Sequence, residues 1–210
     1  MEVVLPKCLK VGALFAVPFS FKVCDSGLGL LSLFKSGDLA LSIATFLPGI
    51  AATVCVNGCN ANTMIPLHYK GTVIPPLMLD TKRVFATKSG ALNVKYVIND
   101  LINQATLIPN ERANGRFLFV AAEDDQNWDS CYFADQAMQQ LKRHGKDNYE
   151  SVFYPGAGHY LETPYMPFCP SSIHGVIGKP VSPGPTQKQR TTFGGGFRSY
   201  LEPTWQTIAT

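Results

Sequence analysis

Apolar and polar positions change rhythm several times along this chain, and each change marks an element. Gly27–Leu33 reads GLGLLSL, an apolar run of strand length whose continuity predicts a strand buried on both faces. It breaks at Phe34-Lys35-Ser36 and passes into a predicted helix over Gly37–Phe46. Further apolar runs at Ala51–Asn57 and Phe117–Ala122 predict two more buried strands. Between Ser130 and His144 the period lengthens, with Phe133, Ala137, Met138 and Leu141 recurring at helical spacing. Lys142, Arg143 and His144 sit favourably at the negative end of that helix, and Gly145 stops it. Tyr149–Tyr154 returns to strand. Strands alternating with helices predict an α/β fold, a mostly parallel sheet flanked by helices.

The rhythm is lost in three places. From Asn60 to Arg112 prolines 66, 75, 76 and 109 interrupt two ambiguous apolar segments. Connections this long are uncommon without a function. Ile74, Leu77, Met78, Leu79 and Phe85 would supply either an apolar cover for a substrate or ordinary core. Residues 1–26 form a divergent leader. Its apolar stretch Val11–Phe21 falls short of the roughly 20 residues of a membrane-spanning helix, and Glu2 and Pro18 argue against a secretory signal. A substitute first strand or an unstructured leader is expected there. Residues 179–210, rich in Pro, Gly and Thr, have the composition of a disordered tail.

Composition narrows the function classes. A chain of 210 residues that is 46% hydrophobic and 16% charged suits one globular domain. The net charge of +3 traces to Lys179, Lys188, Arg190 and Arg198, in a stretch without acids, so no basic stripe predicts a nucleic-acid partner. The six cysteines are irregularly spaced and several lie in apolar runs, the pattern of reduced, packed thiols. Cys55 and Cys59 have no second pair to complete a zinc site. No phosphate-cradling glycine loop is present.

The candidate chemistry lies where strands end. The turn after the first buried run, Ser32-Leu33-Phe34-Lys35-Ser36, occupies the place where a G-x-S-x-G elbow presents a serine on a strained strand-to-helix turn. Phe34 stands at the nucleophile position, and a phenyl ring can neither attack a carbonyl nor be activated by a base. Ser32 and Ser36, two residues away on either side, are expected to point elsewhere than the apex. The Phe117–Ala122 run ends in Glu123-Asp124-Asp125, where one acid orients a base or all three cap the strand in solvent. After the last strand, Pro155-Gly156-Ala157-Gly158-His159 delivers a histidine on a glycine-rich loop, either for proton transfer or simply satisfied by a carbonyl. His68 and His174 read as loop histidines. Nucleophile position, acid, histidine is the chain order of α/β-hydrolases.

With these motifs in place, the stretches LSIATFLPGIAATVCVNGCNANTMIPLHYKG, FLFVAAEDDQNWDS, AMQQLKRHGKDNY and YPGAGHYLETPYMPFCPSSIHG resemble the C-terminal catalytic region of acyl-CoA thioesterases and the bile acid-CoA:amino acid N-acyltransferase. The resemblance spans residues 27–178. GAGH and LKRHGK are similar to the bile acid branch, KSGDL and PLHYKG to the thioesterases. The resemblance implies a partial α/β-hydrolase fold without its N-terminal strands, since the residues before the elbow are too few for the upstream sandwich domain or the strand supplying part of the oxyanion hole. It also implies a Ser or Cys nucleophile at the position of Phe34, the acid at Asp125 and the histidine at His159. The substrate class would be a CoA thioester, with no further cofactor and no metal. Two expectations follow: a thioester hydrolase-like protein of fatty or bile acid-CoA metabolism, or an inactive relative that binds acyl groups or partners. A cytosolic location is expected, with peroxisomes as the alternative although a C-terminal Ser-Lys-Leu address is lacking. Oligomeric state is not encoded in any motif.

Overall fold

A computed structural model of the chain describes residues 19–24, 27–98, 103–160, 171–174 and 179–184. The long apolar runs come together as one five-stranded sheet in the order β1 (Phe19–Cys24), β2 (Gly27–Leu33), β3 (Ile50–Val56), β8 (Arg116–Ala122), β9 (Tyr149–Tyr154). β2, β3, β8 and β9 are parallel and β1 is antiparallel to β2. Part of the expected leader is therefore a substitute first strand.

Period-two alternation explains why both sheet faces are dry. Phe117, Phe119 and Ala121 of β8 face α1 (Ser36–Phe46) and α2 (Ser130–Arg143), joining Leu30, Leu41, Ala44, Ala137 and Leu141 in one core. Leu118, Val120 and Ala122 point the other way and pack with Val54, Val56 and Ala157. The expected face of α2 is the buried one: Phe133, Ala137 and Leu141 are at most 1% exposed.

The excursion from Asn60 to Arg112 contains the hairpin β4 (Leu67–Tyr69) and β5 (Thr72–Ile74), short 3-10 turns, and β6 (Phe85–Ala86) with β7 (Leu92–Asn93). Its apolar residues divide. Ile74 and Leu77 are buried, and Leu79 packs on a second core cluster, whereas Met78 and Phe85 are exposed. Core packing thus accounts for three of the five residues considered as a substrate cover.

Residues 179–184 correct the tail expected from residue 179. β11 (Pro180–Val181) pairs with β10 (Ser172–Ile173) and β7, giving a second sheet in the order β10-β11-β7-β6. Ser182 N donates to Leu92 O (2.8 Å), and Val181 is buried among Val94, Leu107 and Trp128. Composition missed this because two-residue strands are held by their neighbours, not by their own propensity. Residues 185–210 and 1–18 lie outside the described residues.

Parallel registers align the C-terminal strand ends. Leu33 pairs with Val56, Val56 with Val120 and Ala122 with Tyr154. The segments that follow β2, β3, β8 and β9 consequently leave from one edge of the sheet.

Candidate active site

At that edge the chain after β2 turns at Phe34, whose φ of +55° lies in the left-handed region that a bulky residue rarely enters. Phe34 N donates to Val56 O (2.9 Å) and Phe34 O accepts from Gly37 N (2.9 Å), closing the strand-to-helix turn. The turn needs glycines behind it: a Cβ on Gly37 would lie 2.7 Å from Gly58 Cα. In the first turn of α1, the buried Asp38 carboxylate pairs with the Lys35 ammonium and accepts from Thr63 N (3.1 Å) and Oγ1 (2.8 Å). Burial pushes the Asp38 carboxyl up, against the opposing pull of Lys35 and Thr63.

The three acids after β8 separate. Glu123 and Asp124 are exposed, while Asp125 is 0% exposed. Its Oδ1 accepts from the backbone N–H groups of Asn127 (2.8 Å) and Trp128 (3.2 Å), and its Oδ2 accepts from Ser130 Oγ (2.5 Å). The other donor to Oδ2 is His159 Nδ1, at 2.8 Å. A carboxylate that only accepts fixes the proton on Nδ1 and leaves Nε2 as an acceptor. Asn127 Nδ2 meets Nε2 at 2.9 Å. One short loop, residues 125–130, therefore binds both ring nitrogens.

The imidazole is enclosed as well as bonded. Phe34 stacks on His159 with ring centroids 4.0 Å apart and an interplanar angle of 28°. Trp128 and Tyr160 contribute further aromatic contacts, each 5.8 Å from the His159 centroid. His159 is 3% exposed. Its loop is held from outside by Pro183 O, which accepts from His159 N (2.5 Å). Gly158 permits this approach, since a Cβ there would lie 2.4 Å from Pro183 O.

The structure thus brings Phe34, Asp125 and His159 together, and it turns the two nearby serines away. Ser32 Oγ donates to Val54 O (3.0 Å), and Ser36 Oγ donates to Leu33 O (2.5 Å). His68 is exposed. Burial, with a smaller electrostatic contribution from the nearby His159 side chain, holds His174 below the usual histidine range, so it belongs to the site's surroundings. Burial pushes the Cys55 and Cys131 thiols up to about 12, and Cys59 is pushed up in the same way. Such thiols are not activated nucleophiles. The polar residues that complete the site, Asn57, Asn127 and Ser130, were not singled out by sequence reasoning. The Asn-Trp-Asp-Ser run after the acids was the available signal.

The family model described as BAAT / Acyl-CoA thioester hydrolase C terminal matches residues 18–198. The chain belongs to this family. The match extends beyond the span of 27–178 expected from the motifs at both ends, consistent with the pairing of β1 and β11. Among curated relatives, the chain is 42% identical over 163 residues to acyl-coenzyme A thioesterase 2, mitochondrial, of Homo sapiens, covering 76% of this chain and 34% of that protein. It is 41% identical over 163 residues to acyl-coenzyme A thioesterase 1 of Homo sapiens, covering 76% and 39%. Mouse (Mus musculus) acyl-coenzyme A thioesterase 2, mitochondrial, is 37% identical over 193 residues, covering 90% and 40%. The chain therefore spans between 34% and 40% of the length of these relatives. Among its described residues no helix is long and apolar enough to cross a membrane.

Proposed function

We propose that this family member has kept the acid and the histidine but lost the covalent route, so that it engages fatty or bile acyl-CoA esters without turning them over. The observation that carries this is Phe34, at the apex of the turn with its ring stacked 4.0 Å from the His159 ring. In the covalent route a hydroxyl or thiol at that apex gives its proton to the histidine and attacks the thioester carbonyl, and CoA leaves as the free thiol. Water or an amino acid then takes the acyl group. A phenyl ring has no lone pair to attack with and fills the space a nucleophile would use. The relatives' names point to an acyl-coenzyme A ester, and the fatty or bile acyl group follows from the family resemblance.

Thiol release from a long-chain acyl-CoA, followed with a thiol reagent, tests this directly. The chain is expected at background. Phe34→Ser is expected to raise the rate by about a thousandfold or more, since loss of a triad member costs up to about a million-fold in intact triad enzymes. A folded Phe34→Ser chain that stays at background refutes the claim that residue 34 alone blocks the chemistry. The assembled Asp125–His159 pair favours a second reading, hydrolysis through some other nucleophile. Turnover by the parent chain that disappears in His159→Ala selects it. A cytosolic location belongs to the same proposal, and recovery of an untagged chain mainly in peroxisomes or mitochondria overturns that part.

A further inference from the structure

β3 ends at Val56, and the next residue, Asn57, is 0% exposed with a φ of +47°. Asparagine enters this left-handed region several-fold more readily than most side chains. Every polar group of Asn57 is used. Its backbone N donates to Val120 O (2.8 Å) and its backbone O accepts from Trp128 Nε1 (2.6 Å). Its side-chain Oδ1 accepts from Ala122 N (2.8 Å), and Nδ2 donates to His159 O (2.7 Å). These side-chain-linked partners lie 65, 71 and 102 residues away in sequence.

We propose that Asn57 is a positioning residue that sets the histidine loop against the acid loop, so that the His159 ring meets Asp125. The inference rests on the reading of that pair as the functional remnant of the site. Ala122 is the last residue of β8, three residues before the acid, and the His159 carbonyl is the backbone of the histidine itself. One carboxamide thus fixes both ends of the 2.8 Å contact between His159 Nδ1 and Asp125 Oδ2. The chemistry is selective. Ala122 N–H can only donate and His159 C=O can only accept, so the bridging group must offer one acceptor and one donor on a short stem. Aspartate lacks the donor, and serine carries only one oxygen on a shorter stem. Pro183 holds the same loop from the opposite side through His159 N (2.5 Å), and the histidine is thereby clamped through its own N–H and C=O.

The test uses the whole chain labelled with ¹⁵N at histidine and reads the His159 Nδ1–H resonance and its exchange with solvent by NMR. Asn57→Gly keeps a residue that accepts positive φ and removes both side-chain bonds. It is expected to exchange the Nδ1 proton at least about tenfold faster, or to lose the resonance. Asn57→Asp keeps the shape and the acceptor for Ala122 N while replacing only the donor, and the same change is expected. Ser32→Ala, which removes a buried bond to Val54 O and none to the Asp125 or His159 loops, is the control and is expected to leave the resonance unchanged. A parental signal in folded Asn57→Gly or Asn57→Asp overturns the proposal, as does an equal change in Ser32→Ala. The readout does not depend on hydrolysis, so turnover in the parent chain would overturn the Phe34 reading alone.

Discussion

Removing the Asp125 carboxylate should damage folding more than any surface change, and the structure says by how much. The group accepts from four donors, Asn127 N, Trp128 N, Ser130 Oγ and His159 Nδ1. In Asp125→Ala, Asn127 is only partly buried and reaches water, and the Ser130 hydroxyl can rotate. The Trp128 N–H and the His159 Nδ1–H are left buried, each at a cost of about 1–3 kcal/mol. Their sum agrees with the about 3–5 kcal/mol found when one partner of a buried pair is removed. With a urea m value of about 2 kcal/mol/M, the unfolding midpoint should fall by roughly 2 M. Asp125→Asn should behave differently. The amide oxygen still accepts from the two backbone N–H groups, while its NH₂ donates to Ser130 Oγ and to His159 Nδ1. That nitrogen must then be unprotonated, so the proton moves to Nε2 and Asn127 turns its oxygen toward it. Bonds are exchanged, not lost, and the expected cost is about 1 kcal/mol. Long-range ¹H–¹⁵N NMR should show the reversed tautomer. An alanine variant within 1 kcal/mol of the parent, or an asparagine variant that keeps Nδ1–H, refutes the network.

Two further outcomes follow from the same geometry. Gly158→Ala places a methyl 2.4 Å from Pro183 O and 2.9 Å from Gly184 Cα, so residues 183–184 must shift; a loss of about 1–3 kcal/mol and faster exchange of the His159 amide are expected, and unchanged protection of that amide in hydrogen exchange contradicts the clamp. Asp38 has its carboxyl pushed up by burial, so the stability it contributes is present below its ordinary pKa of about 4 and is lost as pH rises through the raised value. Asp38→Asn lacks that loss, and urea melts should show the parent weakening relative to the variant as pH rises from about 4; the opposite trend refutes burial as the dominant effect.

Sequence pattern was most legible in the five-stranded sheet and its two helices. Gly27–Leu33 and Tyr149–Tyr154 have the boundaries the pattern predicts, and Ile50–Val56, Arg116–Ala122, Ser36–Phe46 and Ser130–Arg143 differ by a residue. Long apolar runs leave few alternatives, because only a covered strand hides them. β4 to β7, β10 and β11 were not legible. They are two or three residues long, too short for a period to show, and β11 also draws a partner from far along the chain, Val181 pairing with Leu92. Ile74 and Leu77 likewise became core although their segment carries no clear period.

At the candidate site, what could be read was position, and what could not was satisfaction. Elbow, acids and histidine each sit at the end of a recognisable strand, so alternation and order carried the three segments to one sheet edge, and the family resemblance pointed to Asp125 among the acids. What the resemblance left unstated is why Asp125 and not Asp124: its carboxyl is the one that turns inward to meet Ser130, Asn127 and the imidazole, a fact of folded geometry. Asn57 shows the limit most clearly. In the sequence it is a polar residue closing an apolar run before a glycine, the ordinary mark of a turn. Only when β3, β8 and β9 lie side by side does its carboxamide reach both Ala122 and His159. The buried polar partners of a site therefore escape a reading by period, because a hydrogen bond that spans a hundred residues has no period. They show themselves only in the folded structure, as polar residues buried at strand ends.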